Sequence, residues 1–129
     1  MSSQPFSCIF VVDDEHAIAS TLAAILRMNG FPAMFFTCPL EALNAARSEA
    51  PDLLISDVTM PDLSGIDLAI QMTAQYPKCK VLLFSGEAAT MDLLQTTSEQ
   101  GHNFPLLLKP AYPAEIFAEI GKLAEYSAA

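Results

Sequence analysis

Four short apolar runs in this chain each end on a polar or charged residue, and helix-like segments lie between them. Cys8-Ile9-Phe10-Val11-Val12 ends on Asp13 and Asp14, and Leu53-Leu54-Ile55-Ser56 ends on Asp57. Val81-Leu82-Leu83-Phe84 ends on Ser85, and Leu106-Leu107-Leu108 on Lys109. Runs so short and so apolar suit strands buried on both faces. Their alternation with helices indicates a single α/β domain with a mostly parallel sheet. The C-terminal strand ends of such a sheet converge on one edge, and ligands bind there. Three carboxylates, a hydroxyl and an ammonium gathered at that edge make a site for a divalent cation and a phosphoryl group.

The intervening segments carry their own start and stop signals. After strand 8–12, His16 to Met28 places Ile18, Leu22, Ile25 and Leu26 on one helical face, and Asn29-Gly30 stops it. Ala33 to Phe36 is a second short strand. A helix over Pro39–Ser48 opens with proline in its first turn and ends before Pro51. Gly65 to Tyr76 forms a third helix, closed by Pro77. Strand 80–84 leads to a polar helix over Ala88–Gln100, and strand 105–108 leads past Pro110 to an amphipathic helix with Ile116, Phe117, Ile120 and Leu123. Residues 1–6 read as a flexible lead-in. The chain ends one helix after the last strand, so the expectation is one domain over 1–129, with its core at about 7–126 and no output domain.

Composition narrows the function. At 129 residues and 52% hydrophobic, the chain can bury a real core and is not disordered. A net charge of −9 with six basic residues argues against nucleic-acid binding and against docking on an anionic membrane surface. No run reaches the roughly 18 apolar residues of a membrane helix, and no signal peptide is visible. A cytoplasmic protein is expected. Cys8, Cys38 and Cys79 form no C-x-x-C pair and read as reduced thiols, the first and last as small apolar residues at strand starts. His16 and His102 lie far apart and read as surface or loop residues.

Gathering Asp13, Asp14 and Asp57 is costly without a counter-ion: two carboxylates ~5 Å apart repel by ~3 kcal/mol at an effective dielectric near 20. Mg²⁺ removes that cost, since it takes one or two carboxylates and fills its shell with water and phosphate oxygens. One carboxylate can then act as nucleophile and form an aspartyl phosphate. Lys109 and Ser85 would hold the phosphoryl oxygens. Taken singly, each residue has a plain explanation as a helix cap, turn or loop. The joint order, each group at its own strand end, is what points to chemistry.

The motifs "IFVVDDE", "DLLISDVTMPDLSGIDL", "VLLFSG" and "LLLKP" resemble those of response-regulator receiver domains of two-component signalling, over about residues 7–126. The resemblance implies a flavodoxin-like three-layer α/β/α fold, with five parallel strands in the order 2-1-3-4-5 and five helices. It implies that Asp57 is the phosphoacceptor, served by a histidine kinase or a histidine phosphotransfer protein. Asp14 and Asp57 would ligate Mg²⁺ directly, Asp13 would act through metal-bound water, and Thr59 would offer its backbone carbonyl. Lys109 would pair with the carboxylate or its phosphate, and Ser85 would be the switch hydroxyl. A cis Lys109–Pro110 bond is implied as well. Thr59 and Glu87 occupy positions that tune phosphoryl lifetime in the family.

One position departs from the family pattern: Leu106 stands where receiver domains usually carry Tyr or Phe. Phe104, two residues earlier, would point the same way in a regular strand. The phosphorylation chemistry is untouched. What Leu106 bears on is coupling to the face made by the fourth helix, fifth strand and fifth helix, where Ala88–Gln100 and the last helix would meet an effector protein. The leading function is thus a phosphorylation-activated switch that is not an enzyme beyond its own phosphoryl transfer and dephosphorylation. A homodimer stays open. Three other classes are less favoured. A phosphohydrolase lacks chain for a cap, a flavin-binding domain lacks a phosphate loop after the first strand, and a phosphorylation-independent scaffold does not need the complete acidic set.

Overall fold

Apolar residues in strands alternate between the two faces of a sheet, so a strand apolar at every position needs a helical layer on each side. That is the architecture of the computed structural model, which describes residues 6–86, 104–109 and 112–128. The elements run β1 (Ile9–Val12), α1 (His16–Met28), β2 (Ala33–Phe36), α2 (Pro39–Ala46), β3 (Leu53–Asp57), α3 (Gly65–Gln75), β4 (Lys80–Ser85), β5 (Leu106–Leu108) and α4 (Pro113–Ala128). All strand pairings are parallel, in the order β2-β1-β3-β4-β5. Three layers and the 2-1-3-4-5 order are therefore as expected. Four helices are described. The helix expected over Ala88–Gln100 lies outside the described residues, as do Glu87, His102 and Pro110 with its peptide bond.

The two faces of the sheet carry separate cores. Phe10, Val12, Leu54 and Leu83 pack with Ala42 and Ala46 of α2 and Leu68 and Met72 of α3. Ile9, Val11, Leu53, Ile55, Leu82 and Phe84 pack with Ala19, Ala23 and Leu26 of α1 and Ile116, Ile120 and Leu123 of α4. Each fully buried aliphatic side chain contributes about 1.5–3 kcal/mol relative to exposure. Register fixes the functional edge: Val12 stands opposite Ser56, and Asp57 opposite Phe84.

Several boundaries differ from expectation for local reasons. α2 ends at Ala46 instead of Ser48, because the N–H groups of Ser48 and Glu49 both turn back to the Ala45 carbonyl before Pro51. α3 ends at Gln75: Pro77 forces Tyr76 out of helical geometry, to φ −129 and ψ 81. α1 stops as expected, with Gly30 at φ 86 just past the Asn29 cap. Its buried stripe, however, is Ala19, Ala23 and Leu26, while Ile18 is 38% exposed. The small alanines let the helix approach the sheet closely; Leu22 packs at the margin of that contact, and Ile18 flanks it.

The flexible lead-in fails at Phe6, which is 2% exposed in the α1/α4 core. The Asp52 carboxylate explains the order there. It accepts from Ser7 N (2.7 Å), Ser7 Oγ (2.9 Å) and Cys8 N (3.0 Å), clamping the segment before β1 to the one before β3. All three cysteines are free, and Cys8 and Cys79 are buried just ahead of β1 and β4.

Candidate functional site

Each candidate side chain owes its position to the end of a strand. Asp13 follows β1 and is 4% exposed, with its main-chain N–H on the Phe36 carbonyl at 3.1 Å. One of its carboxylate oxygens accepts from the Glu15 N–H at 3.0 Å, at the start of α1. Asp14, one residue on, is exposed. Asp57 is the last residue of β3 and half-buried. Lys109 follows β5 and donates its main-chain N–H to the Ser85 carbonyl at 2.8 Å, which ties it to the end of β4.

These ends bring the charges together. Lys109 Nζ lies 3.1 Å from Asp57 Oδ1 and 3.2 Å from Asp13 Oδ2. Carboxylate oxygens of Asp13, Asp14 and Asp57 all fall within 4.8 Å of one another. The donor set is all hard oxygen and carries more negative charge than Lys109 balances. Carboxylates across a Mg²⁺ with ~2.1 Å bonds stand about 4.2 Å apart, so the spacing fits that ion. Ser85, the last residue of β4, is 1% exposed. Thr59, two residues beyond Asp57, is exposed between the buried Val58 and Met60.

The electrostatics reflect a half-buried cluster. Burial raises the Asp57 carboxyl above its ordinary value, the Lys109 hydrogen bond and charge oppose this, and Asp13 and Asp14 add to the rise. For Lys109, burial works against the ammonium. The Asp57 hydrogen bond and the Asp13 charge outweigh it, and the net shift is upward. A cavity of about 610 Å³ between α1 and α4 reaches Asp13, Asp57 and Lys109, and its wall is mostly apolar, including Ile18, Leu22, Ile25, Ile55 and Phe84. That wall supplies the low-dielectric side of the site.

Phe104 and Leu106 both pack against the α2/α3 core, whereas Leu107 packs on the other face. The expectation that Phe104 shares the direction of Leu106 therefore holds. Two features beside Asp57 escaped sequence reasoning. The Ser56 hydroxyl, fully buried, donates to the Asp57 carbonyl at 2.9 Å. Gly65, the first residue of α3, lies so near that a Cβ there would overlap that carbonyl oxygen. A serine inside an otherwise apolar strand was the available signal for the first; nothing in the sequence marks the second as a close approach.

Comparison with known proteins gives one answer. The family model for the response regulator receiver domain matches residues 9–121. The transcriptional regulatory protein CreB of Escherichia coli is 33% identical over 115 residues, 89% of this chain and 49% of that protein. The DNA-binding transcriptional regulator NtrC of Proteus hauseri is 32% identical over 102 residues, 79% of this chain and 21% of that protein. The chain thus spans half or less of the length of these relatives. Among solved structures, a response regulator receiver domain protein from Clostridium thermocellum superposes with a TM-score of 0.84 at 23% identity, covering 95% of this chain and 97% of that one. A CheY-like receiver domain protein from Methanospirillum hungatei gives 0.84 at 22% identity, with 95% and 96% covered. At that identity the two structures speak for the fold.

Proposed function

The chain belongs to the response regulator receiver domains, whose general function is a phosphorylation-activated switch, and from that membership we propose that Asp57 is its phosphoacceptor. The observation that carries this is the Asp57 carboxylate at the sheet edge, within 4.8 Å of two further carboxylates and 3.1 Å from Lys109. A carboxylate oxygen of Asp57 attacks the phosphorus of a phosphohistidine on a histidine kinase or histidine phosphotransfer protein. The new O–P bond forms as the P–N bond breaks, and the imidazole leaves with the electron pair. Lys109, already paired with Asp57, stays within reach of a phosphoryl oxygen. The Ser85 hydroxyl donates to another.

Bound at the acidic edge, Mg²⁺ would neutralise charge on the incoming group. Asp57, Asp14 and the Thr59 carbonyl would hold it directly, and Asp13 through water. The different engagement of the two neighbours supports that division: Asp13 is committed to Glu15 N–H and Lys109, while Asp14 is exposed. The chain acts once on its own Asp57 rather than as an enzyme on a separate substrate, and it signals in the cytoplasm by altered binding of an effector protein or a second copy. Among the described residues no helix is long and apolar enough to cross a membrane.

Intact mass after incubation with Mg²⁺ and acetyl phosphate tests the reading. One added phosphoryl group, absent from Asp57→Asn and from an EDTA control, is expected. No addition to a wild-type protein that binds Mg²⁺ would rule out self-phosphorylation from small donors. A second reading, a scaffold indifferent to phosphorylation, draws on Leu106 in place of the usual aromatic. It requires that Asp57→Asn bind the effector as well as the phosphorylated protein does.

A further inference from the structure

We propose that the Ser56 hydroxyl is a positioning group for Asp57, fixing the main chain of the phosphoacceptor where the strand ladder runs out. The proposal rests on the reading of Asp57 given above. β1 pairs with β3 only as far as Val12 opposite Ser56, one residue short of Asp57. At that point the Ser56 hydroxyl donates to the Asp57 carbonyl at 2.9 Å. α3 closes the other side: its first residue, Gly65, has no room for a Cβ between Cα, the Asp57 carbonyl and Ser56 Oγ. The following residue is held equally firmly, with Val58 N–H on the Phe84 carbonyl at 2.9 Å and its own carbonyl accepting from Gly65 N–H at 2.8 Å.

A hydroxyl in this place is costly unless bonded, since Ser56 is 0% exposed in a strand otherwise apolar up to Asp57. Alanine or valine would suit the packing alone. The bond it makes is to the one residue whose side chain meets Lys109, Asp13 and Asp14. Catalytic groups must be held within about 0.5 Å and 10–20° of productive geometry. The Asp57 side chain leaves the end of a strand, where a free carbonyl would let the peptide plane tilt. Ser56 and Gly65 together remove that tilt, and the carboxylate keeps its line to Lys109.

The test compares Ser56→Ala with Ser56→Thr, which keeps the donor, and with Leu26→Ala, a fully buried site at the far end of α1. Stability, Mg²⁺ dissociation constant and phosphorylation rate with acetyl phosphate are read for each. Ser56→Ala is expected to slow phosphorylation about tenfold and weaken Mg²⁺ about threefold, since small misplacements cost up to about a hundredfold. Ser56→Thr should recover most of both, and Leu26→Ala should lose stability while keeping rate and affinity. If Ser56→Ala loses stability alone, with rate and Mg²⁺ affinity unchanged, the hydroxyl is only a structural cap and the proposal fails. Should Ser56→Ala not fold, Ser56→Cys, similar in shape but a weak donor, carries the same comparison. If wild type binds Mg²⁺ yet takes no phosphoryl group, self-phosphorylation at Asp57 is what has failed. The Mg²⁺ affinities then decide this proposal alone: weaker binding in Ser56→Ala supports it, and equal binding overturns it.

Discussion

Replacing Lys109 with Met should push the stability of the free protein and its affinity for Mg²⁺ in opposite directions. Lys109 Nζ lies 3.1 Å from one Asp57 oxygen and 3.2 Å from one of Asp13. Each contact carries roughly 5 kcal/mol of Coulomb attraction at an effective dielectric near 20. Desolvation of the three charges offsets most of this, and solvent reaches a Lys109 side chain that is 29% exposed. A net loss of about 2 kcal/mol is left, between the values of exposed and buried pairs. For a domain of this size that lowers Tm by roughly 6–10 °C. The same ammonium repels a divalent cation on those carboxylates at ~5 Å by roughly 1.7 kcal/mol in bulk water, a lower bound for this half-buried site. Its removal should therefore tighten Mg²⁺ binding by at least about tenfold. Urea denaturation in EDTA, followed by Mg²⁺ titration of each protein, measures both. A Lys109→Met protein as stable as wild type in EDTA, or binding Mg²⁺ no more tightly, would refute the charge balance argued here.

Asp57 and Lys109 also set the pH dependence of the metal-free protein. Burial raises the Asp57 carboxyl above its ordinary 3.8, so its contribution to stability is greatest below that pH and is lost as pH rises through the folded-state value. Asp57→Asn should accordingly be more stable than wild type near neutrality in EDTA, with the advantage vanishing in acid, as urea curves across pH would show. The raised Lys109 value places the loss of its contribution above 10.5, in alkali, so it does not obscure the neutral range. Burial pushes the Cys8 thiol to about 11 and the Cys79 thiol to about 12. Iodoacetamide at pH 8 should then label the half-buried Cys38 first and the other two only after denaturation, a sequence that peptide mass mapping would follow. Asp52→Ala removes the acceptor of three hydrogen bonds from Ser7 and Cys8. It should cost about 1–2 kcal/mol in a denaturant melt and speed amide exchange at Ser7 and Cys8.

The layers of the fold were legible because the periodicities separate cleanly. Strands such as Val81–Phe84 are apolar at every position and must be covered twice, and Pro77 ends the helix before it. What sequence could not supply was which of two apolar stripes a helix buries. Of the expected α1 face, Ile18, Leu22, Ile25 and Leu26, Leu26 is buried and Leu22 packs against the core, but Ala19 and Ala23 complete the buried stripe while Ile18 is exposed. Close approach of backbone to sheet rewards small side chains, and no local pattern reports the distance between two layers. Phe6 was missed for a similar reason: its burial follows from the Asp52 clamp, a contact across 45 positions of sequence.

The charged members of the site were legible for a different reason. Topology alone carries strand ends to one edge, so knowing that Asp13, Asp57 and Lys109 end strands was enough to gather them without any distance. Ser56 does not yield to that logic, because it lies inside the strand and its partner is the main chain of its neighbour. A side chain that bonds to backbone leaves no complementary residue elsewhere in the sequence to pair it with. The same holds for Gly65, whose contribution is an absent Cβ beside Asp57. Candidate charges declare themselves by type and place; the main-chain contacts beside them appear only when backbone distances are known, and it is there that removing a single hydroxyl, as in Ser56→Ala, should prove costly in rate.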